Sequence, residues 1–540
     1  MSLRDRVLLW FKHPFADVNR MWTWGGLAML VGLVLRVWSI HQARFSGEES
    51  WFWGIGREIA TGQSFPVLGH PISGTAARHP GAAFFWFLGL TQLGGASPLR
   101  AYAVVSLSGW LVLPPLSVAV ARAFDRDTGL AFLILTAVSP WWIVYTNSAW
   151  PSYLIPTLCA LLLVWLPSLI DRRPRFAQAA LAFLLLIGFQ IHLSLLHYWL
   201  IALVTVAVWR PRLTRVLLIG AVLGCLCYVP YLVYELGHTF ANTAAIAQRS
   251  QTGGRSWTVL QGLLLYFLGF TTTDLSYLWN QGYWFPFDLA RFWRGPGVAQ
   301  TTGFFARTGA VPLAWTALVV TWVFTISSWA FFVHVLWRRF RANGRRQANV
   351  LPLAFVTAVA AIPFLYLLSG KGGYPHYVST VLPLAFLPAA ALLGRLLKHR
   401  VARWAAVAYV ALFASAGFLG LRGYYAVDSR WSIKQSTAAV DFILAKTRNR
   451  DGQYRPFRLN YGFSPNWPSS YQLIATHVFH APFLASGGPD VFHVDARLPG
   501  QPVITNGPPP PPGSAVDTLV LPTLVVRHHR GPAPPVSGAP

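Results

Sequence analysis

Apolar runs and short polar connections alternate along most of this chain. Each run is close to the roughly 20 residues that a helix needs to cross a bilayer core of about 30 Å. About eleven are read, at 22–40, 101–121, 128–146, 150–170, 176–191, 193–209, 214–234, 311–337, 349–369, 377–395 and 402–421. The pattern predicts about eleven membrane-spanning helices.

Two segments break the ladder. Residues 81–95, GAAFFWFLGLTQLGG, are apolar but too short to cross without strain and are flanked by Gly and Pro. Counting them as a crossing would also reverse every later basic cluster. They are expected to lie flat at the outer interface, anchored by Trp86 and the Phe residues. Residues 257–268, WTVLQGLLLYFL, read the same way. From about 423 the runs shorten and Asp428, Asp441, Asp451 and Asp490 enter, as in a soluble segment. There, 434–446 has helical spacing, and 456–461 and 516–521 have strand spacing, so a small α/β cap is expected. Five consecutive prolines between Gly507 and Gly513 and a Pro/Gly/Ala-rich end mark linker and disorder.

The connections set the orientation. Basic clusters fall on every second one: Arg4, Arg6, Lys12 and Arg20; Arg122 and Arg126; Arg172, Arg173 and Arg175; Arg210, Arg212 and Arg215; the five arginines of 338–346; and Arg395, Lys398, Arg400 and Arg403. By the positive-inside rule these lie in the cytoplasm. The alternating set, 41–100, 146–150, the turn near 192, 235–310 and 370–376, is outside, and an odd number of spans puts the tail outside too. The expected organisation is a cytoplasmic N-terminus (1–21), a membrane domain (22–422, outer loops 41–100 and 235–310), an extracytoplasmic soluble domain (423–506) and a Pro-rich tail (507–540).

Composition agrees: 54% of the 540 residues are hydrophobic and 11% charged, with a mean hydropathy of +0.45. The net charge of +26 is then a topology signal, which removes nucleic-acid binding as its explanation. Arg greatly outnumbers Lys, a hint of a GC-rich bacterial genome, and the bacterial cytoplasmic membrane is the expected location. The first apolar run lacks a small-x-small cleavage pattern and reads as a retained span. Cys159, Cys225 and Cys227 all sit in apolar runs, which speaks for buried packing over disulfides or a metal knuckle. All seventeen Asp and Glu avoid the middle of spans, whereas an ion-coupled transporter usually keeps an acid there.

The first outer loop carries the candidate chemistry. Ser46-Gly47 followed by Glu48-Glu49 reads as a loop feeding a short helix, with both acids in a first turn that favours negative charge. Helix capping alone would account for one of them. Neighbours on a helix point about 100° apart, so the two do not readily flank one bond, and one active base is expected rather than two.

An acidic pair after the first span, a Gly-Gln-x-x-Pro-like turn at Gly62 to Pro66, and His79-Pro80 opening a short apolar helix resemble the GT-C membrane glycosyltransferases. Within that family the motifs are similar to those of protein O-mannosyltransferases and lipid A aminoarabinose transferases. SPWWIVYTNSAWPSYLIP (139–156) resembles the family's third-span exit and return, and GKGGYPHYVSTVLPLAF (370–386) its later outer loop. The resemblance covers about 20–420 as topology. It implies an all-α polytopic fold of GT-C type, with interfacial helices and the small C-terminal α/β domain read above. It also implies that Glu48 is the catalytic base, with Glu49 in reserve. Two departures stand out: the family pair is usually Asp-Glu, and the second acid many members carry at the third-span exit is replaced here by Asn147-Ser148-Ala149-Trp150-Pro151.

Transfer from a polyprenyl-phosphate sugar needs a base for the acceptor proton and cations for the departing phosphate. Lys371, ahead of a helix start near His376, is the candidate phosphate ligand, against the alternative of a lysine reaching the interface. His376 and Tyr377 would orient the phosphate; Arg57, Arg78 and His79 could contact it, or pair with acids and begin the interfacial helix. His192 and His197 read as interfacial histidines, and Trp142, Trp150 and Tyr374 as interface aromatics more than a sugar platform. No metal ligand is assigned. Cofactor need stays open: no compact ligand motif is visible, though outer acids and histidines would allow a divalent metal. The reading is a membrane glycosyltransferase using a polyprenyl-phosphate-linked sugar and a lipid, glycan or protein acceptor; the rival is a flippase for such lipids, which would gain little from Glu48.

Overall fold

Helix follows helix through most of the chain in the computed structural model, which describes residues 18–43, 45, 47–72, 76–95, 97–170, 175–211, 214–252, 267–273, 311–343, 347–369, 379–428, 432–448, 457–461, 490–496, 516–520 and 524–530. The helices are α1 (Val18–Gln42), α2 (Gly47–Ala60), α3 (Ala83–Gln92), α4 (Pro98–Leu111), α5 (Leu113–Ala123), α6 (Arg126–Val138), α7 (Pro140–Val144), α8 (Pro151–Trp165) and α9 (Arg175–Ile191). They continue with α10 (Leu196–Trp209), α11 (Arg215–Leu226), α12 (Val229–Gly237), α13 (Ala241–Thr252), α14 (Val311–Asn343), α15 (Val350–Ser369), α16 (Leu382–Leu397), α17 (Ala402–Asp428) and α18 (Ile433–Thr447). Over its described residues, each of the eleven runs falls mainly on one or two of these helices.

Length and composition suffice for crossing a membrane in six of them, counting α4 with α5 and α8 and α16 with their short 3-10 extensions. The pair α11–α12 becomes a seventh if its 43° bend lies within one span. Runs read as single helices break for local reasons. Pro140 cannot extend α6, and Ser139 caps α7 by accepting the Trp142 backbone N–H at 3.2 Å. Pro230 does the same between α11 and α12.

The core centres on α6, which packs against α1, α5 and α16. Its start is capped by Asp125, which accepts the Thr128 N–H at 2.9 Å. Outward faces remain apolar and exposed, as on α1 (Leu30, Val34), α14 (Val323, Ile326) and α11 (Leu218, Ile219, Val222). A soluble protein would not leave such stripes uncovered; lipid covers them. The fold is that of a polytopic helical membrane protein.

The seam between α9 and α11 is held along its length. At one end the Thr214 hydroxyl donates to Gln178 Oε1, and Gln178 Nε2 donates to the Ser168 carbonyl at 2.7 Å. Midway, a Cβ on Gly220 would collide with the Ala179 carbonyl, and one on Gly224 would lie 2.7 Å from Leu186 Cδ1. At the other end the Tyr228 hydroxyl donates to the Leu186 carbonyl at 2.7 Å, and Gln190 Nε2 to the Cys227 carbonyl at 3.0 Å. Small residues let two backbones approach closely, the usual solution inside a membrane. Because α11 packs on one side, Cys225 and Cys227 are exposed, a correction to their expected burial; Cys159 is buried, and all three are free thiols.

The tail forms the expected α/β unit. Helix α18, capped by Ser432, covers a sheet of β1 (Phe457–Tyr461), β2 (Asp490–Ala496), β3 (Val516–Val520) and β4 (Leu524–Arg530) in the order β1-β2-β4-β3. Strands β1 and β2 run parallel, Phe457 opposite Asp490; β4 is antiparallel to β2 and β3, with His529 opposite Val491 and Val516. Phe442 and Phe492 pack helix on sheet, 6.4 Å between centroids. The Ile433 N–H donates to the Ala43 carbonyl at 3.1 Å, docking the unit at the end of α1.

Reporter fusions test the orientation. Those after Arg126, Arg175 and Arg346 are expected to report cytoplasm, and those near Gly62, Gly253 and Ser469 the outer side. A cytoplasmic Ser469 reporter would sink the expected topology.

Candidate functional site

Helix α2 follows α1 after four residues and opens on the acid pair, Glu48 half-buried and Glu49 buried, both in its first turn. Free N–H groups and the helix dipole stabilise carboxylates there. The helix packs on α3 through aromatic pairs: Phe52 with Phe84 at 5.6 Å, and Trp51 and Phe85 at 6.0 Å. Ten residues give α3 a length of about 15 Å, half a bilayer core, so the short apolar segment forms a helix too short to cross. The 62–66 turn folds over it; Trp86 Nε1 donates to the Pro66 carbonyl at 3.2 Å.

Arg57 and Arg78, the candidate cations among the described residues, are held by different partners. Arg57 stands nine residues beyond Glu48, about 13 Å along the helix. Its guanidinium donates to the Gln92 carbonyl at 3.4 Å, joining the ends of α2 and α3. Arg78 is fixed through its backbone: its N–H donates to Asn242 Oδ1 at 2.7 Å, and its carbonyl accepts from Asn242 Nδ2 at 3.0 Å. The start of the 235–310 loop therefore clasps the first outer loop. Lys371, Tyr374, His376 and Tyr377 lie outside the described residues, as does most of 257–268.

His79 belongs to a group that the sequence did not reveal. His70 and His79 face each other on a two-stranded turn: the His79 N–H donates to the His70 carbonyl and the Gly69 N–H to the His79 carbonyl, each at 3.0 Å. Their rings stack at 3.8 Å. Gly81 closes the turn at φ +116°, where a Cβ would lie 2.5 Å from Gln190 Cδ, so the loop sits directly on α9. His192, after the end of α9, completes the group, 5.4 Å from His79 and 6.2 Å from His70 between ring centroids. Ligand-capable atoms of the three lie within 4.8 Å of one another, and all three rings are buried. Burial, with the Arg78 charge adding to it, pushes the His70 imidazole from 6.5 to about 3, so this ring is neutral at physiological pH. His197 is buried one turn further on, outside the group.

At the third-span exit, Asn147 Nδ2 donates to the Tyr425 hydroxyl at 2.9 Å. Asn147 Oδ1 and Ser148 Oγ are buried with no partner among the described residues. Trp142 is a core strut, fully buried with its N–H donated to the Gly109 carbonyl at 2.9 Å; Trp150 is half-buried against Tyr153. Inside α1, Arg36 is fully buried and donates to the carbonyls of Gly32 at 3.0 Å and Ala137 at 3.1 Å. A lone arginine within the first apolar run was the signal available for it. A separate cleft of about 660 Å³, lined by Asp125, Arg338, Arg395 and Lys398, lies at the basic end of the helices, away from the acid pair.

The structure is similar to that of ArnT from Cupriavidus metallidurans in the apo state, with a TM-score of 0.51 at 14% identity over 94% of this chain and 98% of that one. ArnT bound to undecaprenyl phosphate gives 0.49 at 15% identity over the same shares. The Archaeoglobus fulgidus oligosaccharyltransferase in the apo form gives 0.41 at 11% identity, over 87% of this chain and 65% of that one. No family model and no curated protein matches the sequence. The likeness to apo ArnT over nearly both whole chains shows that this chain shares its polytopic helical fold.

Proposed function

We propose that this protein transfers a sugar from a polyprenyl-phosphate carrier to an acceptor hydroxyl or amine at the outer face of a bacterial cytoplasmic membrane. The observation that carries the reading is the acid pair in the first turn of a short helix directly after the first span, on an ArnT-like fold. The carrier phosphate is its own leaving group. Glu48 takes the acceptor proton as the oxygen or nitrogen attacks the anomeric carbon, and the bond to phosphate breaks on the opposite face with inversion. Glu49, turned into the protein, has the lesser role. The membrane domain of 22–422 binds donor and acceptor, with the 423–506 domain outside above it.

The reading is tested by purified protein in nanodiscs with a labelled polyprenyl-phosphate sugar and candidate acceptors. Sugar appearing on an acceptor supports it; lipid moved between leaflets with no sugar transferred replaces it with a flippase. Glycan profiling of a deletion strain would supply the acceptor class.

Lys371 would neutralise the departing phosphate. Lys371→Ala is expected to weaken donor use more than Lys371→Arg, which keeps the charge, with both proteins folded in the membrane. Donor kinetics unchanged in Lys371→Ala would return this residue to a purely interfacial role.

A further inference from the structure

We propose that His70, His79 and His192 form a binding site for one divalent transition-metal ion of the zinc class. Three separate segments bring these imidazoles together: the two arms of the 69–79 turn and the α9–α10 connection. Ligand atoms within 4.8 Å of one another stand close to the about 3.3 Å spacing that tetrahedral zinc with bonds of 2.0–2.1 Å imposes. Binding therefore requires the imidazoles to turn from their stacked arrangement toward the shared ion.

The surroundings fit a metal better than plain packing. Nδ1 of buried His70 has no hydrogen-bond partner among the described residues, an arrangement that costs free energy unless something else binds the lone pair. His192 carries its own orienting group: Nδ1 lies 2.8 Å from Ser194 Oγ. The same Nδ1 accepts the Ser194 backbone N–H at 3.2 Å, so Ser194 fixes this ring through both its main chain and its hydroxyl and leaves Nε2 as the nitrogen not engaged by Ser194. The scaffold is stiff, because the backbones of His70 and His79 are bonded to each other and Gly81 seats the turn on α9.

The donor set selects the ion. Three imidazoles without a carboxylate suit zinc, cobalt, nickel or copper and not magnesium or calcium, which take oxygen ligands. Three neutral ligands leave the ion's double charge uncompensated and one tetrahedral position open for water or an anionic oxygen. The Phe52 ring of α2 meets His70 at 5.9 Å, so the ion would fasten the first outer loop to the end of α9 against the helix that carries the acid pair.

This inference stands apart from the transfer reading, because its test reads metal content and not sugar. The full chain is purified through a histidine-free tag from cells supplied with zinc, and bound metals are measured alongside His70→Ala and His192→Ala. The expected result is about one zinc per chain in the wild type and its loss from both variants. In the wild type alone, stripped protein reloaded with cobalt should give the visible absorption of a tetrahedral nitrogen-rich site, which guards against variants that fail to fold. Folded wild-type protein that carries no transition metal and gives no such spectrum overturns the site, as does zinc retained at full stoichiometry in both variants.

Discussion

Sugar transfer by the Glu48→Gln protein is expected to fall by about 10²- to 10⁴-fold, the span typical of a lost general base, or about 3–5 kcal/mol in the barrier. Glutamine keeps the size and much of the hydrogen bonding of the side chain at the first turn of α2, but it cannot take a proton. The fold should be untouched: Glu48 is half-buried, and the α2–α3 contact rests on Trp51, Phe52, Phe84 and Phe85. Glu49→Gln should cost less, because that side chain turns inward about 100° away. Glu48→Asp should keep partial activity if the loop can close the lost methylene. Transfer rates in nanodiscs with a labelled lipid-linked sugar decide the matter. Equal rates for Glu48→Gln and wild type would remove the catalytic assignment while leaving the fold standing.

Gly220→Leu is expected to separate α11 from α9 and to lower both the yield of monodisperse protein and its unfolding temperature. The Gly220 Cα lies against the backbone of Ala179, where even a methyl group has no room and the obstruction is main chain rather than a flexible side chain. Overpacking of this kind costs about 1–3 kcal/mol or more. Little else would compensate, since Leu218, Ile219 and Val222 on the other faces of α11 point out of the protein. The seam ends at Gln190, two residues before His192, so its loss should also disturb the histidine group. Gly26→Leu on α1 is the control, because a Cβ there meets nothing within 4 Å. Extraction in mild detergent followed by thermal unfolding compares the two; if Gly220→Leu behaves as Gly26→Leu does, the close α9–α11 approach is wrong.

The glycine pair of this seam was open to sequence reading, since Gly220 and Gly224 stand four apart within an apolar run. The partner was not, because nothing in the spacing points to Ala179 or Leu186. Strands β1 and β3 were legible from short alternating runs. Strands β2 and β4 were not read; each mixes His with apolar residues, and their faces are set by pairing with one another. The helix at 83–92 and the helix opening on Glu48 were legible, because length, flanking Gly and Pro, and acids in a first turn are local signals.

What the sequence determined by itself is therefore the membrane class, the places where helices lie and the acid pair after the first span, since bilayer thickness, helix rise and terminal dipoles act on neighbouring residues. Only the tertiary structure decided which side chains meet. His192 stands more than a hundred residues from His79, Asn242 reaches back to clasp Arg78, and Asn147 finds Tyr425 across about half of the chain. Such contacts depend on how helices already buried in lipid pack against one another. That choice rests on small residues and single hydrogen bonds, because apolar surface is equally at ease against lipid or protein and the hydrophobic pattern cannot select a partner.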